Sequence, residues 1–107
     1  MQKRIYLLST FLAVLGFSFA TPALSAEADL AKAEKVYKRS CATCHGKQGE
    51  KPAMGESKII NQLKPEEIST ALSERKAGNI TGAGSPAKQR LSEQDIHNLS
   101  EYIQTLK

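Results

Sequence analysis

The feature that most constrains this chain is a pair of cysteines, Cys41 and Cys44, in the stretch SCATCHGKQGE. They lie three positions apart, His45 follows at once, and no other cysteine occurs in the 107 residues. Two thiols on one helical turn lie on the same side of the backbone, with the imidazole beside them. Cysteines at this spacing form a disulfide, a redox pair, a metal site or the attachment point of a covalent cofactor.

The order C-x-x-C-H is typical of covalent haem attachment, and the spacing has a chemical reason. Two thiols on one turn reach the two vinyl groups on one edge of a porphyrin, while the adjacent imidazole comes under the iron. We therefore predict one haem c, attached through Cys41 and Cys44, with His45 as the proximal iron ligand.

Three other chemistries fit the motif less well. A disulfide between Cys41 and Cys44 closes a very short loop and removes little entropy from the unfolded chain. A thioredoxin-like redox pair is expected in a βαβ setting, but the residues before Cys41 have a helical pattern. A zinc site needs a fourth ligand, for which His97 is the only other histidine.

Residues 1–26 have the order of a secretory signal peptide: the basic start MQKR, sixteen uncharged residues, and the small-residue region TPALSA. We expect export to the periplasm with cleavage after Ala26, and Ala28 is the second candidate site. A retained membrane anchor is the alternative, although the apolar segment is shorter than the roughly 20 residues that span a bilayer.

The charge of the exported part, residues 27–107, excludes a nucleic-acid-binding protein. Lys3 and Arg4 leave with the signal, so 13 basic residues face 11 acidic ones and the net charge is +2. The basic residues are interspersed with glutamates, and no aromatic residues alternate with them to stack on bases. We expect a single small domain, a monomer without nucleic-acid partner or membrane insertion.

The apolar core of residues 27–107 is expected to be thin. Tyr37 and Tyr102 are its only aromatic residues, and tryptophan is absent. A domain of about 80 residues buries too little apolar surface to be comfortably stable without a disulfide, a metal or another added group. A haem bound at the cysteine motif supplies the missing apolar centre.

Three helices are predicted, and no alternating strand pattern appears. The first covers residues 29–40, the second begins at Pro65 and stops at Gly78 with a solvated charged end at Glu74–Lys76, and the third follows the N-cap Ser92. Their apolar stripes are Leu30, Ala33 and Tyr37; Ile68, Ala71 and Leu72; and Ile96, Leu99, Ile103 and Leu106. The fold class is therefore all-α.

Two glycine-rich loops connect these helices. GKQGEKPAMGES follows the cysteine motif, and GNITGAGSPAKQR precedes the last helix. The second loop is longer than most connections, which favours a functional role.

The chain resembles the class I, single-haem bacterial cytochromes c of the short periplasmic kind, from AKAEKVYKRSCATCHGKQGEK to LSEQDIHNLSEYIQTL. Ala33 and Tyr37 match the family's small and aromatic positions on the first helix, although glycine is usual at the former. Tyr102 matches the aromatic residue where the last helix crosses the first. The resemblance implies a cytochrome c domain over residues 27–107, with three main helices and long loops wrapped around one covalent haem.

The chain departs from this family at the second axial ligand. The family normally takes a methionine from the loop before the last helix, and GNITGAGSPAKQR contains none. The sixth position is therefore open or filled by another residue, with Met54, Lys88 and Asn79 as candidates. His97 lies opposite the apolar stripe of its helix, so a solvated surface histidine is expected there.

The resemblance implies a carrier of single electrons rather than an enzyme. The iron changes oxidation state, and partner proteins supply and remove the electron: a quinol-oxidising complex or dehydrogenase on one side, a terminal oxidase, peroxidase or reductase on the other. An open sixth position instead favours a haem protein that binds or senses NO or CO. An accessory subunit of a larger oxidoreductase is a third possibility, which the sequence does not separate from the first.

Overall fold

A computed structural model describes residues 13–18, 27–55 and 57–106 of the chain. Most of the predicted signal peptide, including Ala26 at the expected cleavage site, lies outside the described residues. All regular structure in the described ranges is helical, and the all-α prediction is confirmed. The elements are α1 (Leu30–Ser40), α2 (Ala42–His45), α3 (Pro65–Lys76), α4 (Ser85–Gln89) and α5 (Glu93–Ile103), with 3-10 turns at Ala53–Gly55 and Ile60–Gln62. None of the helices described is long and apolar enough to cross a membrane.

Helix α1 begins because Asp29 caps it and is itself held in place. The Asp29 carboxylate accepts a hydrogen bond of 3.0 Å from the Lys32 N–H, which satisfies one of the free donors of the first turn. The Asp29 N–H donates to Oδ1 of Asn98, a residue of α5 that is 1% exposed, at 2.9 Å. The start of α1 is thus tied directly to α5.

Helix α5 packs its apolar stripe against α1 and α3. Its N-terminus is closed by a capping box, in which the Ser92 hydroxyl and the Asp95 carboxylate each accept a hydrogen bond from the other's backbone N–H. The stripe predicted from the sequence is buried as expected. At the contact with α1 the rings of Tyr37 and Tyr102 lie 5.7 Å apart and tilted by 55°, a favourable aromatic geometry.

Helix α3 runs from Pro65, as the sequence predicts, and ends two residues before Gly78. Pro65 lacks the N–H that would be unsatisfied at a helix start. Ile68 is the buried residue of this helix and joins the core between α1 and α5. The Gln104 side chain donates a 3.0 Å hydrogen bond to the Leu63 carbonyl and ties the end of α5 to the segment before α3.

Helix α4 is a correction to the sequence prediction. It lies within GNITGAGSPAKQR, a segment expected to be irregular. The Ser85 hydroxyl accepts a 2.7 Å hydrogen bond from the Gly82 N–H, and Pro86 follows in the first turn. A helix of five residues is too short to show an apolar period, so periodicity could not reveal it. It packs against α3.

Tyr37 connects the core to the residue that follows the haem motif. It is 1% exposed, and its hydroxyl donates a buried 2.6 Å hydrogen bond to the Gly46 carbonyl. Burial, with smaller contributions from the charges of Cys41 and Glu50, raises the pKa of Tyr37 to about 12. The hydroxyl is therefore a neutral donor throughout the physiological range.

Replacing Tyr37 by phenylalanine should destabilise the protein, because the buried Gly46 carbonyl loses its donor while the ring stays in place. We expect Tyr37→Phe to lower the free energy of unfolding by about 1–3 kcal/mol. Tyr102→Phe is the matched control, since the Tyr102 hydroxyl makes no hydrogen bond to a described residue, and its cost should stay within about 0.5 kcal/mol. Denaturant unfolding of the holoprotein measures both; equal costs for the two variants would contradict this role of Tyr37.

Candidate haem-binding site

Local backbone geometry brings Cys41, Cys44 and His45 together. Cys41 ends α1, where its N–H donates to the Tyr37 carbonyl at 2.9 Å. The Cys41 carbonyl then accepts hydrogen bonds from the N–H groups of Cys44, at 3.2 Å, and His45, at 3.0 Å. The motif thus coils into one turn, α2, and both cysteines are free thiols.

Gly46 ends this turn in a conformation that favours glycine. Its φ is +85°, and a Cβ at this position would meet the Glu50 carboxylate. The sharp change of direction leaves the Gly46 carbonyl pointing to Tyr37. The imidazole of His45 is therefore held between the core and the following loop.

The three motif residues line one cavity of about 340 Å³. Its lining falls into two packed groups. The first comes from α2 and the turn that packs against it: Cys41, Cys44, His45, Ala53 and Met54. The second comes from α3, α4 and their connections: Leu72, Arg75, Gly84, Ala87, Lys88 and Leu91. Both groups line the same cavity, and we call them the motif wall and the α4 wall.

The imidazole of His45 is available to a metal. Its Nδ1 atom is buried and finds no hydrogen-bond partner in the described part of the chain. Burial, followed by the positive charges of Lys88 and Arg75, lowers the pKa of His45. The ring is neutral at neutral pH, which is the form that binds metals.

The Cys41 thiol is not activated as a thiolate. Burial raises the pKa of Cys41 to about 11, against a smaller lowering by Lys88. A redox-active cysteine needs a lowered pKa, so a thioredoxin-like pair is disfavoured. Within the described ranges, no group of three histidine, cysteine or acidic side chains could hold a metal ion, and His97 lies on α5 away from this cavity. The zinc alternative therefore lacks its ligands.

These features fit a covalently bound haem. Two free thiols stand on one turn, a buried imidazole nitrogen lacks a partner, and the cavity between the walls is lined by apolar residues such as Leu72 and Leu91. Such a donor set and an apolar enclosure are what a haem iron and its macrocycle require.

The structure distinguishes the candidates for the sixth iron ligand by where it places them. Met54 and Lys88 line the cavity, whereas Asn79 does not and donates instead to the Glu74 carboxylate at 2.9 Å. His97 is exposed, as expected, and lies in a separate surface hollow. Met54 is 76% exposed in a turn where its φ is +54°, in the left-handed region.

Two basic side chains on the α4 wall, Arg75 and Lys88, affect the electrostatics of the site. Arg75 belongs to the charged end of α3 that was expected to be solvated, and the structure corrects this by placing it on the cavity. Burial, followed by the charge of Arg75, lowers the pKa of Lys88. No local sequence pattern indicates that Arg75 lies at the cavity, because its position depends on how α3 packs against α4.

Comparison with known proteins identifies the family. The family model for cytochrome c oxidase, cbb3-type, subunit III, matches residues 28–103. A cytochrome c-553 of Helicobacter pylori is 42% identical over 83 residues, which cover 77% of this chain and 86% of that protein. Cytochrome c-554(547) of Halothiobacillus neapolitanus is 37% identical over 91 residues, 74% of this chain and 98% of that protein. This chain belongs to the c-type cytochromes.

As a c-type cytochrome, the protein carries covalently bound haem c and transfers single electrons to and from redox partner proteins. The predictions of the fold family, of one haem c and of an electron carrier rather than an enzyme are thereby confirmed. The alternative of NO or CO binding finds no support among these relatives. The assignment of the attachment and ligand roles to individual residues stays a prediction.

Loss of the motif side chains should remove the haem in a graded way. Cys41→Ala or Cys44→Ala leaves at most one thioether and should lower the yield of holoprotein, and His45→Ala should lower it further because the iron loses its proximal ligand. Thr43→Ala, an exposed change inside the same turn, is the control and should leave the yield unchanged. Haem that stays with the parent protein through acid-acetone extraction is the expected result; haem that enters the organic layer would contradict covalent attachment.

Proposed function

We propose that this c-type cytochrome is an exported, periplasmic electron carrier, with haem attached through Cys41 and Cys44 and its iron bound by His45. The observation that carries the proposal is the placement of all three side chains on one cavity, with a neutral imidazole. The haem supplies an iron that alternates between the ferric and ferrous states.

The protein's own residues hold the site rigid and dry. The Tyr37 hydroxyl fixes Gly46 and thereby the end of the turn that carries His45. Leu72 and Leu91 line the cavity with apolar surface and limit the access of water. A rigid, dry site needs little rearrangement when the charge on the iron changes, which favours rapid electron transfer.

An open cavity edge is the proposed place of electron transfer. Cys44 is exposed whereas Cys41 is partly buried, so the thiol pair lies at the boundary between core and solvent. Lys47, Lys51 and Lys58 are exposed in the loop that follows the motif. Such a positive surface favours encounters with acidic partner surfaces, such as those of a quinol-oxidising complex or dehydrogenase as donor and a terminal oxidase, peroxidase or reductase as acceptor.

A free carrier is favoured over a subunit of a larger oxidoreductase. The family description names an oxidase subunit, but the matched relatives named cytochrome c-553 and c-554(547) align over 86% and 98% of their own length. Those relatives thus correspond to little more than the domain found in this chain.

The exported protein should begin at Glu27. Cleavage after Ala26 leaves the Asp29 N–H as a peptide donor to Asn98, whereas cleavage after Ala28 would place a positive α-amino group at the start of α1, where the helix dipole disfavours it. N-terminal sequencing and the intact mass of the periplasmic protein measure the site. Protein found uncleaved in the membrane fraction would contradict export as a free carrier.

The haem should accept one electron at a potential below those of relatives with histidine and methionine ligands. The reason is that a thioether ligand favours ferrous iron more than nitrogen or oxygen ligands do, and the loop before α5 offers no methionine. A potentiometric titration should follow a one-electron curve, and the weak ferric absorption band of a methionine–iron bond should be absent. A methionine band in the parent that Met54→Leu abolishes would show that this expectation is wrong.

A further inference from the structure

The two walls of the cavity limit which residue can bind the second face of a haem iron. Axial ligands approach from opposite sides of the macrocycle. His45 and Met54 both belong to the motif wall, because the turn Ala53–Gly55 packs against α2. A sixth ligand opposite His45 is therefore expected from the α4 wall.

Lys88 is placed on the α4 wall, where its amine lies beside Gly84. The residue is partly buried in α4, and its Nζ atom lies 2.7 Å from the position that a Cβ on Gly84 would take. The missing side chain at Gly84 thus leaves the space in which the amine lies. Both residues line the cavity that contains Cys41, Cys44 and His45.

The amine of Lys88 is also without a partner in the described ranges of the chain. Lys32 and Lys38 contact carboxylates and Lys76 donates to the Leu91 carbonyl, whereas the Lys88 amine has no such partner among the described residues, as is also true of exposed lysines such as Lys35 and Lys47. Lys88 differs from those exposed lysines because it is partly buried at the cavity, so a group bound in the cavity lies within its reach.

We propose that the Lys88 amine is the sixth ligand of the haem iron. The inference rests on the proposed attachment to Cys41 and Cys44 with His45 as proximal ligand. Binding requires the ammonium group to release one proton to solvent, after which the nitrogen lone pair forms the bond to iron. Burial and the positive charge of Arg75 on the same wall both disfavour the charged form of the amine.

The other polar groups of the α4 wall are poorer ligands. Arg75 is excluded because a guanidinium group has no free lone pair to donate to iron. The Ser85 hydroxyl is 8% exposed and already accepts the Gly82 N–H at 2.7 Å. Thr81 is exposed and offers a neutral hydroxyl, a weak donor for iron.

Spectroscopy of the purified holoprotein tests this assignment. The variants are Lys88→Ala, which removes the amine, and Lys88→Arg, which keeps the charge and length but has no lone pair to donate. Lys58→Ala, at an exposed lysine outside the cavity lining, is the matched control, and Met54→Leu tests the rival ligand. The ferric optical and electron paramagnetic resonance spectra at neutral pH report the spin state, and CO binding to the ferrous protein reports access to the sixth position.

The expected result is a low-spin parent and loss of the low-spin signal in both Lys88 variants, with faster CO binding. Lys58→Ala should behave as the parent, and Met54→Leu should keep the low-spin signal. A high-spin parent protein would overturn the proposal. A low-spin signal that persists in Lys88→Arg would also overturn it, because Lys88 would then act through its charge. Loss of the low-spin signal in Met54→Leu would overturn it as well. If Lys88→Ala fails to retain haem, Lys88→Arg still decides the question.

Acid-acetone extraction separates a failure of this inference from a failure of the proposed site. Haem that remains covalent while the Lys88 variants keep the parent spectrum rejects only the lysine ligand. Haem that leaves the parent protein in the extraction rejects the attachment through Cys41 and Cys44 on which the inference depends.

Discussion

The packing of Tyr37 between α1 and α5 is the contact on which the rest of this structure depends. Its ring lies against Tyr102, and its hydroxyl donates to the Gly46 carbonyl directly after the haem motif. The same crossing is fixed from the other end, where Asn98 accepts the Asp29 N–H at the start of α1. These contacts hold the small core rigid at the turn that carries the cysteines and the histidine.

The electrostatics of the cavity combine two opposing effects on the iron. Positive side chains such as Arg75 favour the ferrous state, which carries one positive charge less. A nitrogen ligand in place of a thioether favours the ferric state. The midpoint potential is therefore expected to depend on the charges of the α4 wall as well as on the iron ligands.

Much of the fold and part of the site could be predicted because the signals are local. The three main helices follow from caps and apolar periods, and Ser92 with Asp95 and Pro65 mark two of the starts. The grouping of thiols and imidazole follows from adjacency in the chain. Helix α4 could not be predicted, since five residues show no period. Arg75 was placed in solvent because a charged helix end is usually solvated, and only its packing against α4 brings it to the cavity.

The sequence by itself determined the covalent chemistry. Residues three or four positions apart meet on any helical turn, so the presence of C-x-x-C-H already brings two thiols and an imidazole together. The tertiary structure alone decided what lies opposite them. Met54 is close to the motif along the chain and lies on the motif wall, whereas Lys88 is 43 residues beyond His45 and lines the same cavity from α4. The second face of an iron site is a long-range arrangement, and it is set by how α3, α4 and α5 pack rather than by any local pattern.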